Sequence, residues 1–429
     1  MKTITLTMKE QNRAAILSKL AKKSGKGTPT IPELAEVLGL CERQVYRLKT
    51  RYREKGAQGL AHGNRGRESP RKTPKEIKDK IVKMATGTYQ GFNDHHLAEK
   101  LNEVEDIFVS RSTVQRTLRA GGIPSVRKKR RPKHRTRRER KAQEGMMLQT
   151  DGSNHDWLES RGPRLTFLGL IDDATNEVPA GFFDEEETTL GYLRLFYETF
   201  SRKGLPTSIY ADRHMIFQTP REATLEEQLQ NKRPETQVGR ALRELGVTLI
   251  PAYSSQAKGR VERLWGTFQD RLVSELRLEK VADKNHANAV AKKIIPQHNR
   301  RFTKKPANPI SAWRPVPNDI DLMQILCVKE QRTVANDNTI SYNGTTFQIP
   351  KSNIRPTFAK AKVEVRSLIN DEIHIYYKNQ RIAKFSPKTI QLKARRQTIS
   401  SENNLGDILK IQERTPAWKQ NTLSPTLTY

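Results

Sequence analysis

The sequence predicts a multidomain chain: all-α helix-turn-helix units first, a mixed five-stranded α/β sheet next, and a small C-terminal β-barrel last. Three observations predict it. A length of 429 residues suits two to four domains rather than one. Apolar residues recur at helical spacing through the first third and at strand spacing from Met146 onward. Near the C-terminus, Asn343-Gly344 between Ile340-Ser341-Tyr342 and Thr345-Thr346-Phe347 is a two-residue hairpin signal followed by further short strands.

Ala14 to Leu20 reads as a first short helix. Thr30 and Glu33 have capping-box spacing, Pro32 fits a first helical turn, and Gly39 suits a left-handed stop. A second helix follows with Val45 and Leu48 inward, which leaves Arg43, Gln44 and Arg47 on the outer face of a recognition helix. A plain helical hairpin is the competing reading. Residues 57–73, rich in Gly, Arg and Pro, read as a linker. A second helical unit spans 74–123. There Ser110 is a natural N-cap, Gly121-Gly122 a stop, and Arg111, Ser112 and Gln115 lie on another candidate recognition helix.

From Met146 the order is three strands, helix, strand, helix, strand, helix. Strands are expected at 146–151, 165–171, 178–183, 208–212 and 247–250, the first three as an antiparallel meander and the later two as parallel additions. In the last helix Val261, Leu264, Trp265, Phe268 and Leu272 form one apolar stripe. The expected domains are therefore helix-turn-helix units at 1–56 and 74–123, a basic arm at 124–144 and the sheet core at 145–305. A linker at 306–324, a β-barrel at 325–395 and a tail at 396–429 complete the chain.

Charge is distributed unevenly. Residues 1–150 hold 36 of the 78 Lys and Arg but only 15 of the 47 Asp and Glu, so they carry two-thirds of the net charge of +31. The block 127–141, which includes Lys128, Lys129, Arg130 and Arg131, has nothing to bury and repels itself. It reads either as a solvated linker or as an arm that tracks phosphates and gains affinity by counterion release. An anionic membrane would attract it too, but no amphipathic apolar face accompanies it. No run of eighteen apolar residues exists to span a bilayer, and Cys41 and Cys327 cannot build a disulfide framework or a four-Cys zinc site. The expected partner is nucleic acid and the expected location the cytoplasm.

Residues 151–200 reverse the sign, with 11 acidic and 3 basic residues. Carboxylates beside bound DNA are repelled by phosphate unless a cation lies between, which directs attention to metal chemistry. Asp151 is expected at the end of the first strand, Asp212 at the end of the fourth, and Glu262 in the first turns of the last helix. If those strands are neighbours, the three carboxylates converge, and Mg²⁺ or Mn²⁺ would be needed to hold them ionised together. Two such ions about 4 Å apart suit in-line phosphoryl transfer. A lone Asp at a strand end also serves as a turn-former or cap, and Asp156, Asp172 and Asp173 are rivals. Glu185-Glu186-Glu187 reads as a solvated turn, and His155 and His214 as loop residues.

The motifs Gln149-Thr150-Asp151-Gly152-Ser153, Tyr210-Ala211-Asp212-Arg213-His214 and Lys258-Gly259-Arg260-Val261-Glu262-Arg263 resemble the DDE transposase and retroviral-integrase superfamily, most of all the ISNCY-type insertion-sequence transposases. The resemblance implies an RNase H-like core in which Asp151, Asp212 and Glu262 are catalytic and bind metal. It implies Mg²⁺-dependent hydrolysis at element ends, then attack of the freed 3′-hydroxyl on target DNA. Terminal inverted repeats would be read by Arg43, Gln44, Arg47, Arg111, Ser112 and Gln115, with Lys258, Arg260, Arg263 and the basic arm on the backbone. A nucleoid-associated homo-oligomer bridging two double-stranded ends in a bacterial-type cell is expected. The 49 residues between Asp212 and Glu262 exceed the spacing in compact members, and the polar stretch 221–235 accounts for the excess. Without a GxxxxGK[ST] loop, ATP use is not expected. Rival readings are a sequence-specific repressor with an inactive nuclease-like core and a nuclease that hydrolyses without joining.

Overall fold

The computed structural model describes residues 5–22, 29–65, 72–126, 138–219, 221–222, 225–229, 234–252 and 259–387. The chain divides into two units, residues 1–78 and 79–429. In the first, α1 (Met8–Lys22), α2 (Ile31–Leu38) and α3 (Glu42–Lys55) precede a short 3₁₀ turn. The first helix starts well before the expected Ala14. Thr30 N–H donates to Glu33 at 2.8 Å and Gly39 takes φ +60°, so the capping box and left-handed stop that the sequence predicts both form. Leu17, Leu34, Val45 and Leu60 make a small core. Glu10 closes it from the side: it accepts from Thr7 N–H at 2.8 Å, His62 N–H at 3.1 Å and the Arg65 guanidinium at 2.6 Å.

Another helical trio follows: α4 (Lys75–Thr86) runs across the boundary into the second unit, and α5 (Asp94–Glu103) and α6 (Arg111–Ala120) lie within it. Asn93 caps α5 and Ser110 caps α6, accepting from Thr113 N–H at 3.2 Å. Then come β1 (Leu148–His155), β2 (Leu165–Asp172), β3 (Gly181–Asp184), α7 (Thr189–Lys203), β4 (Ser208–Ala211), α8 (Leu225–Leu229), α9 (Gln237–Glu244) and β5 (Thr248–Pro251). The sheet order is β3-β2-β1-β4-β5, antiparallel across the first three and parallel to β4 and β5. Two long helices follow, α10 (Gly259–Leu278) and α11 (Lys284–Phe302).

β2 explains how the sheet is sandwiched. It is buried along its whole length, and its side chains alternate between two cores. Leu168 and Leu170 join Tyr192 and Phe196 of α7 and Leu242 of α9 on one face, whereas Leu165, Phe167 and Ile171 join α10 and α11 on the other. The α10 stripe of Val261, Leu264, Trp265, Phe268 and Leu272 lies entirely in that second core, as its spacing requires.

The C-terminal region holds α12 (Leu322–Ile325), β6 (Val328–Thr333), β7 (Thr339–Tyr342), β8 (Thr345–Gln348), β9 (Lys362–Ser367), β10 (Ile373–Tyr377) and β11 (Gln380–Phe385). The expected barrel does not close among the described residues. Instead a four-stranded antiparallel sheet, β11-β10-β9-β6, and the separate β7–β8 hairpin cover one core of Ile340, Phe347, Val363, Val365 and Ile375. Asn343 and Gly344 both take positive φ in the hairpin turn, as the dipeptide predicts. Among the described residues no helix is long and apolar enough to cross a membrane.

The Thr7 N–H and the Arg65 guanidinium hold Glu10 at about 2, well below its usual 4.5. A carboxyl depressed on folding stabilises above its unfolded pKa and loses that contribution as pH falls through the folded one. Amide exchange at Leu34 and Val45 in the full chain should therefore accelerate as pH falls from about 4.5 to about 2 after correction for intrinsic rates, and Glu10→Gln should flatten that dependence. An unchanged slope in the variant would assign the acid sensitivity to another group.

Candidate active site

The parallel pairing of β1 with β4 puts Leu148 opposite Ile209 and Gln149 opposite Tyr210. Asp151 and Asp212, each two residues further on, come level with one another where β4 ends, on strands about 4.8 Å apart. Asp151 is not the strand's last residue: β1 runs on to His155 because its antiparallel partner β2 continues beside it, His155 opposite Leu165.

Alternation along β1 fixes which way Asp151 faces. The Gln149 amide oxygen accepts from Val261 N–H of α10 at 3.2 Å, and Ser153 Oγ meets Gln269 Nε2 at 3.1 Å, so odd-numbered positions face α10. Between them, Asp151 Oδ2 accepts from Trp265 Nε1–H at 3.0 Å. The indole reaches that far because Gly169, opposite Asp151 on β2, has no side chain: an added Cβ would stand 2.8 Å from Trp265 Cη2. Asp212 Oδ1 accepts from His214 N–H at 3.0 Å, which tightens the turn leaving β4. Glu262 lies one turn before Trp265 on α10 and is exposed. Elements thus bring the three acids to one end of the sheet. They do not gather them closely, because among the described residues no group of three or more His, Cys, Asp or Glu is arranged to hold a metal.

The start of α10 is pinned by a buried ion cluster. Asp173, completely buried, accepts from Arg260 Nη1 at 2.7 Å, Gln149 Nε2 at 2.8 Å, Lys141 N–H at 2.9 Å and the Arg138 guanidinium. Burial lowers the Arg260 pKa and Asp173 opposes that shift. Arg260, expected on the DNA backbone, is only 7% exposed and is instead committed to Asp173. Its position in the apolar-flanked first turn of α10 puts it against the sheet rather than in solvent. The rival Asp172 is a turn-former: its Oδ1 accepts from Ala174 N–H, Thr175 N–H and Thr175 Oγ at 2.8–3.0 Å. Asp156 is exposed.

Glu187 is the residue that sequence reasoning missed. On the α7 face of β1 its carboxylate occupies the space a Cβ at Gly152 would take, 2.6 Å from that position, and it accepts from the hydroxyl of fully buried Tyr192. Burial first, then the charges of Glu187, Asp151 and Asp212, drive the Tyr192 pKa far up. The only signal in the sequence was Gly152 itself, a glycine inside a strand, which marks close approach by something else.

Arg43, Gln44 and Arg47 on α3 are exposed, as are Arg111 and Ser112 on α6, with Gln115 half-buried; Arg263 on α10 is exposed. Lys128, Lys129, Arg130, Arg131 and Lys258 lie outside the described residues. The trio carrying α6 is docked on α10. Arg271 grips Glu99 with two bonds of 2.6 and 3.0 Å, Asn93 meets Asp270 at 2.5 Å, and Glu275 receives His96 at 2.7 Å and Lys100 at 2.8 Å. Burial pushes the Glu275 carboxyl up, but His96 and Lys100 outweigh it and leave the group below the usual range.

Helical DNA-reading units ahead of a mixed sheet with carboxylates at its parallel end define a DNA-processing protein, and comparison with known proteins agrees. Residues 13–78 match the winged helix-turn helix family model. The chain is 31% identical over 429 residues to the putative transposase y4bF of Sinorhizobium fredii (strain NBRC 101917 / NGR234), covering 98% of this chain and 91% of that one. It is 28% identical over 405 residues to the transposase for insertion sequence IS1202 of Streptococcus pneumoniae, covering 86% and 84%. Among solved structures, the HTLV-2 integrase catalytic core domain in complex with magnesium (trimeric form) gives 16% identity and TM-score 0.25 over 35% of this chain and 82% of that one. The simian T-cell lymphotropic virus intasome in complex with PP2A regulatory subunit B56 gamma gives 14% and 0.30 over 72% and 99%. Likenesses that distant carry no argument. The chain belongs to the same transposase family as the Sinorhizobium fredii relative.

Gly169→Ala should cost about 1–3 kcal/mol in urea unfolding, because its methyl overpacks against a buried indole. Gly152→Ala should cost less than half as much, since the atoms nearest its methyl are the carboxylate end of Glu187, which can shift on its flexible side chain. Equal losses would show that the Trp265 ring is not wedged at Gly169.

Proposed function

We propose that the protein cuts DNA at the ends of its mobile element by divalent-metal-assisted hydrolysis and joins the freed 3′-hydroxyl to target DNA. Asp151, Asp212 and Glu262 are the acids assigned to this work. The observation that carries the reading is the β1–β4 register, which brings Asp151 and Asp212 level beside the helix that bears Glu262. The donor set suits Mg²⁺ or Mn²⁺ because it is carboxylate oxygen only. A pair of such ions would activate the attacking oxygen and stabilise the leaving one. The chain's own part is to hold the acids. The Trp265 indole N–H donates to Asp151 and the His214 N–H to Asp212.

Recognition of terminal inverted repeats is assigned to Arg43, Gln44 and Arg47 on α3 and to Arg111, Ser112 and Gln115 on α6. Lys128, Lys129, Arg130, Arg131, Lys258 and Arg263 are assigned to phosphates. Joining two ends in one event calls for a homo-oligomer that bridges them.

Asp151→Ala, Asp212→Ala and Glu262→Ala should each keep DNA affinity and lower Mn²⁺-dependent nicking of end-containing DNA on the order of 10⁴-fold, the scale for removing one member of a catalytic unit. Strand transfer retained by any of the three removes that residue from the site. Arg111→Ala should weaken binding to element ends by about 1–3 kcal/mol while barely changing affinity for random DNA, if it contacts a base. Equal weakening on both DNAs in a filter-binding titration would make it a phosphate contact.

A further inference from the structure

Asp173 lies outside the proposed reaction, yet more of the site is tied to it than to any other described side chain in that cluster. Its carboxylate joins three segments. Gln149, two residues before Asp151 on β1, donates to it at 2.8 Å, and the other end of the same amide accepts from Val261 N–H at 3.2 Å. Arg260, two residues before Glu262 on α10, donates at 2.7 Å. Arg138 and the Lys141 N–H come from the end of the basic arm, and Arg260 Nη2 also reaches the Arg138 carbonyl at 3.3 Å. Asp173 and Gln149 are fully buried and Arg260 nearly so.

A buried carboxylate and guanidinium are costly to take from water, and replacing such a pair by apolar packing is often neutral or stabilising. Stability alone is a weak reason for this cluster. Geometry is a better one, because a charge pair with several directed hydrogen bonds fixes distance and orientation in a way apolar contact does not. We infer that Asp173 is a positioning residue, which sets the register of Glu262 against Asp151 and ties the basic arm to that register. The inference rests on the assignment of Asp151 and Glu262 made above.

The test compares full-length wild type with Asp173→Asn, the double variant Asp173→Asn/Arg260→Gln, and Asp151→Asn and Glu262→Gln as references. Nicking of end-containing DNA, its KM for that DNA, and Mn²⁺ affinity of the DNA-free protein by calorimetry are measured. Asp173→Asn should lower kcat about 100-fold with KM unchanged, the scale expected when a reacting group is misplaced by about 1 Å. Its Mn²⁺ affinity should fall to that of Glu262→Gln. The double variant removes the buried Arg260 guanidinium together with its partner, leaving only the part-exposed Arg138, and should recover at least about tenfold in kcat, because the two substitutions couple rather than add. Referring each kcat to the folded fraction measured by circular dichroism separates positioning from a simple loss of folded protein, and the double variant also serves if Asp173→Asn alone does not fold.

Wild-type kcat and Mn²⁺ affinity in Asp173→Asn, beside inactive Asp151→Asn and Glu262→Gln, would overturn the positioning role and leave the active-site reading standing. A folded double variant no better than Asp173→Asn would overturn it as well. Full activity in Asp151→Asn or Glu262→Gln would instead remove the reading on which it rests.

Discussion

The parallel register between β1 and β4 is the constraint on which the candidate site depends. A strand repeats every two residues, so a slip of one position would turn Asp151 or Asp212 onto the opposite face of the sheet. Gln149 opposite Tyr210 prevents that, and the register is itself held by burial: Leu148 and Ile209, paired side by side, both enter the core beneath α7. One apolar pair thus decides where two carboxylates stand. The antiparallel side of β1 contributes differently, by carrying the strand past Asp151 so that Gly169 can admit the Trp265 indole.

Helix α10 brings the third acid, and its placement is set at several levels. Its apolar stripe gives it a face but leaves its axial position loose, since a slide of one turn would bury similar side chains. Directed contacts remove that freedom. The Arg260–Asp173 pair fixes the first turn, Trp265 Nε1 on Asp151 fixes the second, and Gln269 on Ser153 the third. Each rung of β1 from Gln149 to Ser153 that faces the helix has its own bond, which is how a 20-residue helix is indexed to a strand.

Much of this was legible in the sequence because it rests on local rules. The capping box at Thr30 and Glu33, the Ser110 cap, the Asn343-Gly344 turn and the α10 stripe depend on residues a few positions apart, and all are present. What was not legible depends on long-range charge pairing. Nothing near Arg260 in sequence says that it is buried against Asp173, 87 positions away, so its basic surroundings suggested a DNA contact. Glu187 looked like one of three solvated acids, because Tyr192 and the vacancy at Gly152 that hold it are joined only by folding. β6 carries little signal of its own for a related reason: Lys329, Glu330, Gln331 and Arg332 have no apolar alternation, and the strand pairs along its length with β9. A closed barrel was the simplest arrangement of those strands; the β7–β8 hairpin instead lies as a second layer on a shared core.

The same helix that carries Glu262 also seats the α4–α6 trio, and the two contacts differ in kind. Near its start α10 meets the sheet through a buried charge pair; along its second half it meets α5 through Asp270, Arg271 and Glu275. Arg271 and Glu99 interact in a fork-to-fork geometry, and Glu275 is 6% exposed, so these bonds are shielded from salt far better than surface pairs. Twenty residues of helix span about 30 Å as one stiff element. The orientation of α6, whose outer face holds Arg111 and Ser112, is therefore referred through α5 to the helix that also holds an acid of the candidate site. Arg138 and the Lys141 N–H, which lead into β1 from the basic stretch, are in turn anchored at Asp173, the same carboxylate that holds the first turn of that helix through Arg260.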